Sequence, residues 1–194
     1  LKNDDLKYFK APERVRNLLV GNYFGNPSFT DAGVSQLKAF KNLERLNLIG
    51  CQITNSSLAD LADHSKLWFL SLYGTPISDD GLQHLASLSE LSEIDLQGAP
   101  VAGPGLVHLK GLSKLETLVL ATTKVDDIGL SHLKSLSQPL NIRFHHQHGI
   151  TDAGLVHLEG MSNLRSLDFT ETNVTADGLQ ELRKSLPNCQ IVGK

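Results

Sequence analysis

Apolar residues return along the chain in a fixed cycle. Leu43, Leu67, Leu91 and Leu115 follow one another at intervals of 24 residues; three positions on, the same interval carries Leu46, Leu70, Ile94, Leu118 and Ile142, and two beyond those Leu48, Leu72, Leu96, Leu120 and Phe144. Leu164, Leu167 and Phe169 continue the register after a one-residue insertion. Later in each cycle come Ile53, Ile77, Val101, Val125, Ile150 and Val174, then Leu58, Leu82, Leu106, Leu130, Leu155 and Leu179, then Leu61, Leu85, Leu109, Leu133, Leu158 and Leu182. The first part of the cycle, L-x-x-L-x-L, has the alternation of a short strand, and the second places apolar residues three apart, as on one side of a helix. One strand and one helix per cycle are predicted. A unit this short cannot bury its own apolar side, so neighbouring units must stack, strand beside strand in a parallel sheet.

Small oxygen-bearing residues open the second half of most units: Thr30-Asp31, Thr54-Asn55, Ser78-Asp79, Asp126-Asp127, Thr151-Asp152 and Thr175. They can accept the unpaired amide hydrogens of a helix N-terminus and are read as its caps. The unit at Ala102-Gly103-Pro104 lacks one. A glycine column, Gly33, Gly81, Gly105, Gly129, Gly154 and Gly178, marks close approach of backbone at the strand-to-helix turn.

Two units break the cycle. Val15 to Leu43 spans 28 residues, with Asn22-Tyr23-Phe24-Gly25-Asn26-Pro27-Ser28 as a longer, aromatic-bearing turn; the other holds His145-His146-Gln147-His148-Gly149 and has Pro139 where Leu115 predicts an apolar residue. Irregular units of a solenoid are where loops carry function. At the N-terminus Leu1 stands in the register place of Ile150, so the chain begins partway through a unit, either continuing a longer protein or forming a half-unit cap. It does not begin with Met, and no signal peptide, a positively charged segment followed by an apolar run, is visible within it. Leu186-Pro187-Asn188-Cys189-Gln190-Ile191-Val192 starts a last strand, and the natural C-terminus is expected at or near Lys194.

The pattern resembles leucine-rich repeats over essentially the whole chain. Ile77-Ser78-Asp79-Asp80-Gly81-Leu82 and Ile150-Thr151-Asp152-Ala153-Gly154-Leu155 look like the 24-residue cysteine-containing and GALA-type subclasses, the latter found in bacterial effectors that also carry F-box segments. The column that names the cysteine-containing subclass holds Cys51, Thr75, Ala99, Thr123 and Thr172, and no F-box lies within these residues. The resemblance implies a right-handed α/β leucine-rich-repeat solenoid, a horseshoe with a parallel sheet on its concave face and helices on its convex face. One domain is expected over residues 1–194: a half repeat or cap at 1–14, seven repeats over 15–188 and a C-terminal cap at 189–194. The implied function is a protein-protein interaction module. A narrower version makes it the substrate-recognition arm of a larger effector or ubiquitin-ligase adaptor.

Composition narrows the alternatives. Leucine is abundant, 35 of 194 residues, but charged residues are 20% and no stretch reaches the roughly 18 apolar residues of a membrane span. Membrane insertion is therefore not expected. A formal charge of −3 leaves no basic surplus for a phosphate backbone, so nucleic acid is not the expected partner. Cys51 and Cys189 lie five or more strands apart, roughly 25 Å at about 4.8 Å per strand, too far for a disulfide. No Gly-x-Ser-x-Gly, phosphate-cradling glycine loop or catalytic carboxylate pair occurs, so neither an enzyme nor a cofactor is expected.

The strand residues that alternate with the core leucines line the inner face: Arg45, Asn47 and Ile49; Phe69, Ser71 and Tyr73; Glu93, Asp95 and Gln97; Thr117, Val119 and Ala121; Asn141, Arg143 and His145; Ser166, Asp168 and Thr170. Trp68, Phe69 and Tyr73 form one expected aromatic cluster flanked by Arg45 and by Glu93 and Asp95, a composition typical of binding hot spots. The partner-binding candidates are Arg45, Trp68, Phe69, Tyr73, Glu93, Asp95, Arg143 and His145. His145, His146 and His148 are the most metal-like run, yet on an extended segment His146 points away from its neighbours, and a closed site needs a further ligand such as Asp168 or Glu171. A solvated polar turn is the expected role, and no metal is assigned. His84, His108, His132 and His157 recur with the unit and form a line along the helical flank rather than converging on one point.

Overall fold

The computed structural model describes residues 1–193; the expected C-terminal cap reaches Lys194, which lies outside the described residues. Among the described residues there are ten strands: β1 (Asn17–Leu19), β2 (Asn26–Thr30), β3 (Arg45–Asn47), β4 (Cys51–Gln52), β5 (Phe69–Ser71), β6 (Glu93–Asp95), β7 (Thr117–Val119), β8 (Leu140–Arg143), β9 (Leu164–Asp168) and β10 (Gln190–Val192). Eight make one open parallel sheet in the order β1-β3-β5-β6-β7-β8-β9-β10, and β2 pairs with β4 in a small second sheet beside it. The register holds equivalent residues of the cycle together: Arg45 beside Phe69, Phe69 beside Glu93, Glu93 beside Thr117. The fold is an α/β solenoid. Helices pack about 8–10 Å apart against about 4.8 Å for strands, a mismatch that favours curvature with the sheet on the inner side.

The helical layer is mostly 3₁₀. Asn55–Leu61, Pro104–Gly111 and Gly129–Ser135 are wholly 3₁₀, while α1 (Asp31–Gln36) and α2 (Asp79–Leu82) pass into 3₁₀ turns and α3 (Asp152–Leu155) is a single turn. Only α4 (Ala176–Ser185) runs to ten residues. The apolar spacing explains the difference. In the six earlier units the buried positions fall three and three apart, as in Leu106, Leu109 and Leu112 or Leu130, Leu133 and Leu136. A helix of three residues per turn puts all of these on one face, and its longer rise lets fewer residues cross the convex side. In the last unit Leu179, Leu182 and Leu186 are three and four apart, the spacing that 3.6 residues per turn requires.

The core is one continuous column of leucines and their equivalents, closed near its ends by aromatic pairs. Phe9 meets Phe40 edge to face at 5.2 Å, and Phe144 stacks on Phe169 at 5.2 Å. One member of the apolar columns is polar. His64 occupies the place of Phe40, Leu88 and Leu112, is buried, and sets Nδ1 3.2 Å from the Leu61 carbonyl and Nε2 3.0 Å from the Leu37 carbonyl. It joins two successive units through backbone acceptors that a leucine would leave alone.

A ladder of Asp and Asn side chains runs between units, and it corrects the expected capping. Thr151, Thr175 and Asp126 cap their own helical segments, accepting from the Ala153, Gly178 and Gly129 amides, but the other Asp and Asn residues of these pairs reach forward into the next unit. Asp31 accepts the Thr54 N–H at 2.7 Å and its hydroxyl at 2.8 Å; Asp127 does the same for Thr151 and Asp152 for Thr175. Asn3 and Asn55 likewise accept the N–H groups of Thr30 and Ser78 through Oδ1, but donate through Nδ2 to their hydroxyls. The unit lacking a cap is held by its predecessor, for Asp79 accepts the N–H groups of Ala102, Gly103 and Gly105 at 2.8–3.0 Å. The ladder accounts for part of the glycine column: a Cβ at Gly154 or Gly178 would collide with the Asp127 or Asp152 carboxylate arriving from the unit before.

Candidate functional site

The face opposite the helical layer carries the side chains that alternate with the core. Not all of its expected members are available. Ile49, Ser71, Val119 and Ala121 are buried, because small or β-branched residues here are covered by larger neighbours from adjoining strands. Arg45 and Arg143 are exposed, and Trp68, Phe69, Tyr73, Glu93, Asp95 and His145 are half-buried.

At the N-terminal end of this face the geometry is specific. The Arg45 guanidinium carbon lies 4.2 Å from the Phe69 ring centre and 4.6 Å from that of Trp68, and the two rings meet edge to face at 6.1 Å. Register makes this possible: Arg45 and Phe69 are direct neighbours across β3 and β5, and Trp68 is the residue that leads into β5. Ring faces hold the cation by their quadrupole and fix the orientation of its planar fork. Among the described residues the guanidinium has neither an ion pair nor a hydrogen bond, since the nearby Glu44 is engaged by Arg16 at 2.6 Å. Asn17, Leu19, Arg45, Asn47 and Phe69 line a shallow groove, in which Leu19 is 65% exposed.

Tyr73 does not join Trp68 and Phe69. The expected single cluster divides in two, because Tyr73 lies beyond the end of β5 and meets Tyr23 from the long N-terminal turn, edge to face at 5.3 Å. The rest of that turn is partly strand: β2 pairs with β4, and Asn26 fastens it by donating to the carbonyls of Leu1 and Val20. Phe24 stands fully exposed beside Tyr23. Tyr23 was recognisable only as an aromatic in an irregular turn; its contact depends on how the inserted residues fold back.

Two strands along from Arg45 lie the acids. Asp95 is held in place, accepting from the Ser71 hydroxyl at 2.8 Å and from the Gln97 N–H at 3.0 Å, whereas the Glu93 carboxylate has no partner among the described residues. Arg143 and Asp168 follow in the Asp95 row across β8 and β9.

The histidine turn is arranged differently from expectation. His146 does not point away from His145; their rings meet at 5.6 Å, because His146 has φ +58° and the strand alternation ends there. Its Nδ1 lies 2.6 Å from the Glu171 carboxylate. Gln147 turns inward, buried, and donates to the Thr123 hydroxyl and the Val125 carbonyl of the preceding unit. It stands in the column of Cys51, Thr75, Thr123 and Thr172, and the extra residue of this unit falls between it and Ile150. No group of three or more His, Cys, Asp or Glu side chains among the described residues is placed to hold a metal ion. His84, His108, His132 and His157 lie along the helical flank, one per unit. Cys51 and Cys189 are unpaired, and burial pushes the Cys51 thiol up to about 12. No helix among the described residues is long and apolar enough to cross a membrane.

An open parallel sheet with one strand and one helical segment per cycle of about 24 residues defines the leucine-rich-repeat class. The Leucine Rich repeat family model matches residues 160–182. Solved structures similar to the chain include internalin C2 from Listeria monocytogenes, at 25% identity over 99% of this chain and 74% of that one, with a TM-score of 0.63. A leucine-rich-repeat protein of Leptospira interrogans matches at 20% identity over 98% of this chain and 51% of its own, TM-score 0.58, and a second Listeria internalin at 17% over 99% and 62%, TM-score 0.53. No curated protein sequence matches the chain. The chain has the leucine-rich-repeat fold, and proteins of this fold generally serve as scaffolds for protein interaction.

Proposed function

We propose that the chain is a non-catalytic module that holds a protein partner on its concave face, with Trp68, Phe69 and Tyr73 as apolar anchors and Arg45, Glu93, Asp95, Arg143 and His145 setting charge complementarity. The observation that carries this reading is the Arg45 guanidinium lying on two aromatic rings with no counter-charge, on a face where the repeat itself demands no aromatic residue. Half-buried aromatics beside arginine are the composition of interface centres, where desolvation makes each contact count. Residues 1–14 serve as a half unit, 15–188 as the repeats and 189–194 as the cap of one domain. The test is capture of a partner by the immobilised chain, followed by Phe69→Ala with Tyr73→Ala. Loss of capture with an unchanged circular dichroism spectrum is expected; undiminished capture contradicts the assignment of the face.

A further inference from the structure

Three residues stand in one row on consecutive strands of the concave face: Arg45, Phe69 and Glu93. Strands are about 4.8 Å apart, so the row spans about 9.6 Å from cation to anion with an aromatic ring between them. Neither charge has an ion pair or hydrogen bond among the described residues, and Asp95, one alternation along β6 from Glu93 on the same face, is fixed by Ser71 and Gln97. The next strand adds Thr117 and Val119, which answer neither charge. A ligand satisfying this row must carry an acidic group, an apolar group and a basic group in that order.

The spacing also selects the backbone that can present them. One turn of α-helix rises about 5.4 Å, close to the strand spacing, so a helix laid across the strands sets one turn over each. Residues i and i+7 are then about 10.5 Å apart on one face. In an extended segment, residues of one side recur at about 6.6 Å, which falls out of step with the strands after a single residue pair. We propose that the occupant of this face is an amphipathic helix of a protein partner, lying along the array, with an acidic residue at i on Arg45, apolar residues at i+3 and i+4 on Phe69, and a basic residue at i+7 on Glu93 and Asp95. Arg45 is suited to its part, because the rings already hold the fork that a carboxylate would grip with two parallel N–H···O bonds. The proposal rests on the concave-face reading above and adds the partner's chemistry and register to it.

Capped, alanine-based helical peptides serve as the probe, with Glu at i, Leu at i+3 and i+4, and Lys at i+7. Affinity for the whole chain is read by fluorescence anisotropy at low salt. Peptide Glu→Gln should weaken binding about tenfold to the native chain and hardly at all to Arg45→Gln, and peptide Lys→Gln should show the same coupling to Glu93→Gln. A peptide with Lys moved from i+7 to i+9, on the opposite face of the helix, should bind more weakly than the parent. Absence of binding, or additive effects in both cycles, overturns the helix proposal. The face is judged separately: Phe69→Ala abolishing binding of every peptide keeps the concave reading even where the charge cycles are additive, while binding indifferent to Phe69→Ala removes both.

Discussion

The two halves of the array leave their strands through the same left-handed turn but fill it with different residues. In the N-terminal half the turn residues are Gly50, Gly74 and Gly98, at φ +62° to +72°; in the C-terminal half the equivalent places hold Thr122, His146 and Glu171, at φ +50° to +58°. Glycine adopts this conformation without cost, whereas other residues lose about 1–2 kcal/mol there. The C-terminal half uses those side chains on itself: His146 pairs with Glu171, Gln147 enters the interior, and Asn173 donates to the His148 carbonyl. The N-terminal half keeps its turns bare and sets Arg45 on aromatic rings beside the exposed Leu19 and Phe24, while Arg45 and Glu93 there, like Arg143 in the other half, have no ion pair among the described residues. Departures from the repeat template are thus of two kinds: the histidine turn spends most of its side chains on internal contacts, and the aromatic end gathers rings, a cation and exposed apolar groups on one face, which is why the proposed anchors are placed there.

The contrast can be strained from either side. The ladder is heaviest at Asp79, which serves three N–H groups, so Asp79→Ala should cost about 3 kcal/mol in urea unfolding, against about 1–2 kcal/mol for Asp152→Ala in the other half. Equal losses would mean that the extra amide bonds carry no weight. Gln147→Leu should lower stability by about 2 kcal/mol, since the Val125 carbonyl loses a donor in the interior, yet leave partner binding intact. Placing threonine in a bare turn, Gly74→Thr, should cost about 1–2 kcal/mol, and Thr122→Gly should return up to about 1 kcal/mol. If thermal unfolding shifts in the same direction for both, the turns are not equivalent. The smallest effect is expected from Glu171→Gln, under about 0.5 kcal/mol, because its pair with His146 is exposed on both sides.

Much of this was legible in the sequence, and what was not has physical causes. The 24-residue columns specified the sheet register residue by residue, so the neighbours Arg45, Phe69 and Glu93 could be named beforehand. The 3₁₀ layer was also written there, in apolar positions three and three apart, as was the contrast with Leu179, Leu182 and Leu186, but the spacing reads as a generic helix unless the third column is followed. Following it would also have exposed His64 as a polar residue among leucines. The forward reach of Asp31, Asp127 and Asp152 was hidden because Thr-Asp looks like a local cap, and only the stacking distance between units decides which amide the carboxylate meets. The Tyr23–Tyr73 contact had no periodic signal at all, since the 28-residue unit sets its own path.

The central proposal, that the N-terminal half of the concave face supplies the anchoring contacts and Arg143 and His145 only peripheral charge, is tested most directly by one comparison of affinities. With a partner captured by the native chain, titration against Phe69→Ala with Tyr73→Ala and against Arg143→Ala with His145→Ala separates the two ends. A loss of at least about tenfold for the first pair and less than about threefold for the second is predicted. The reverse order would contradict the account.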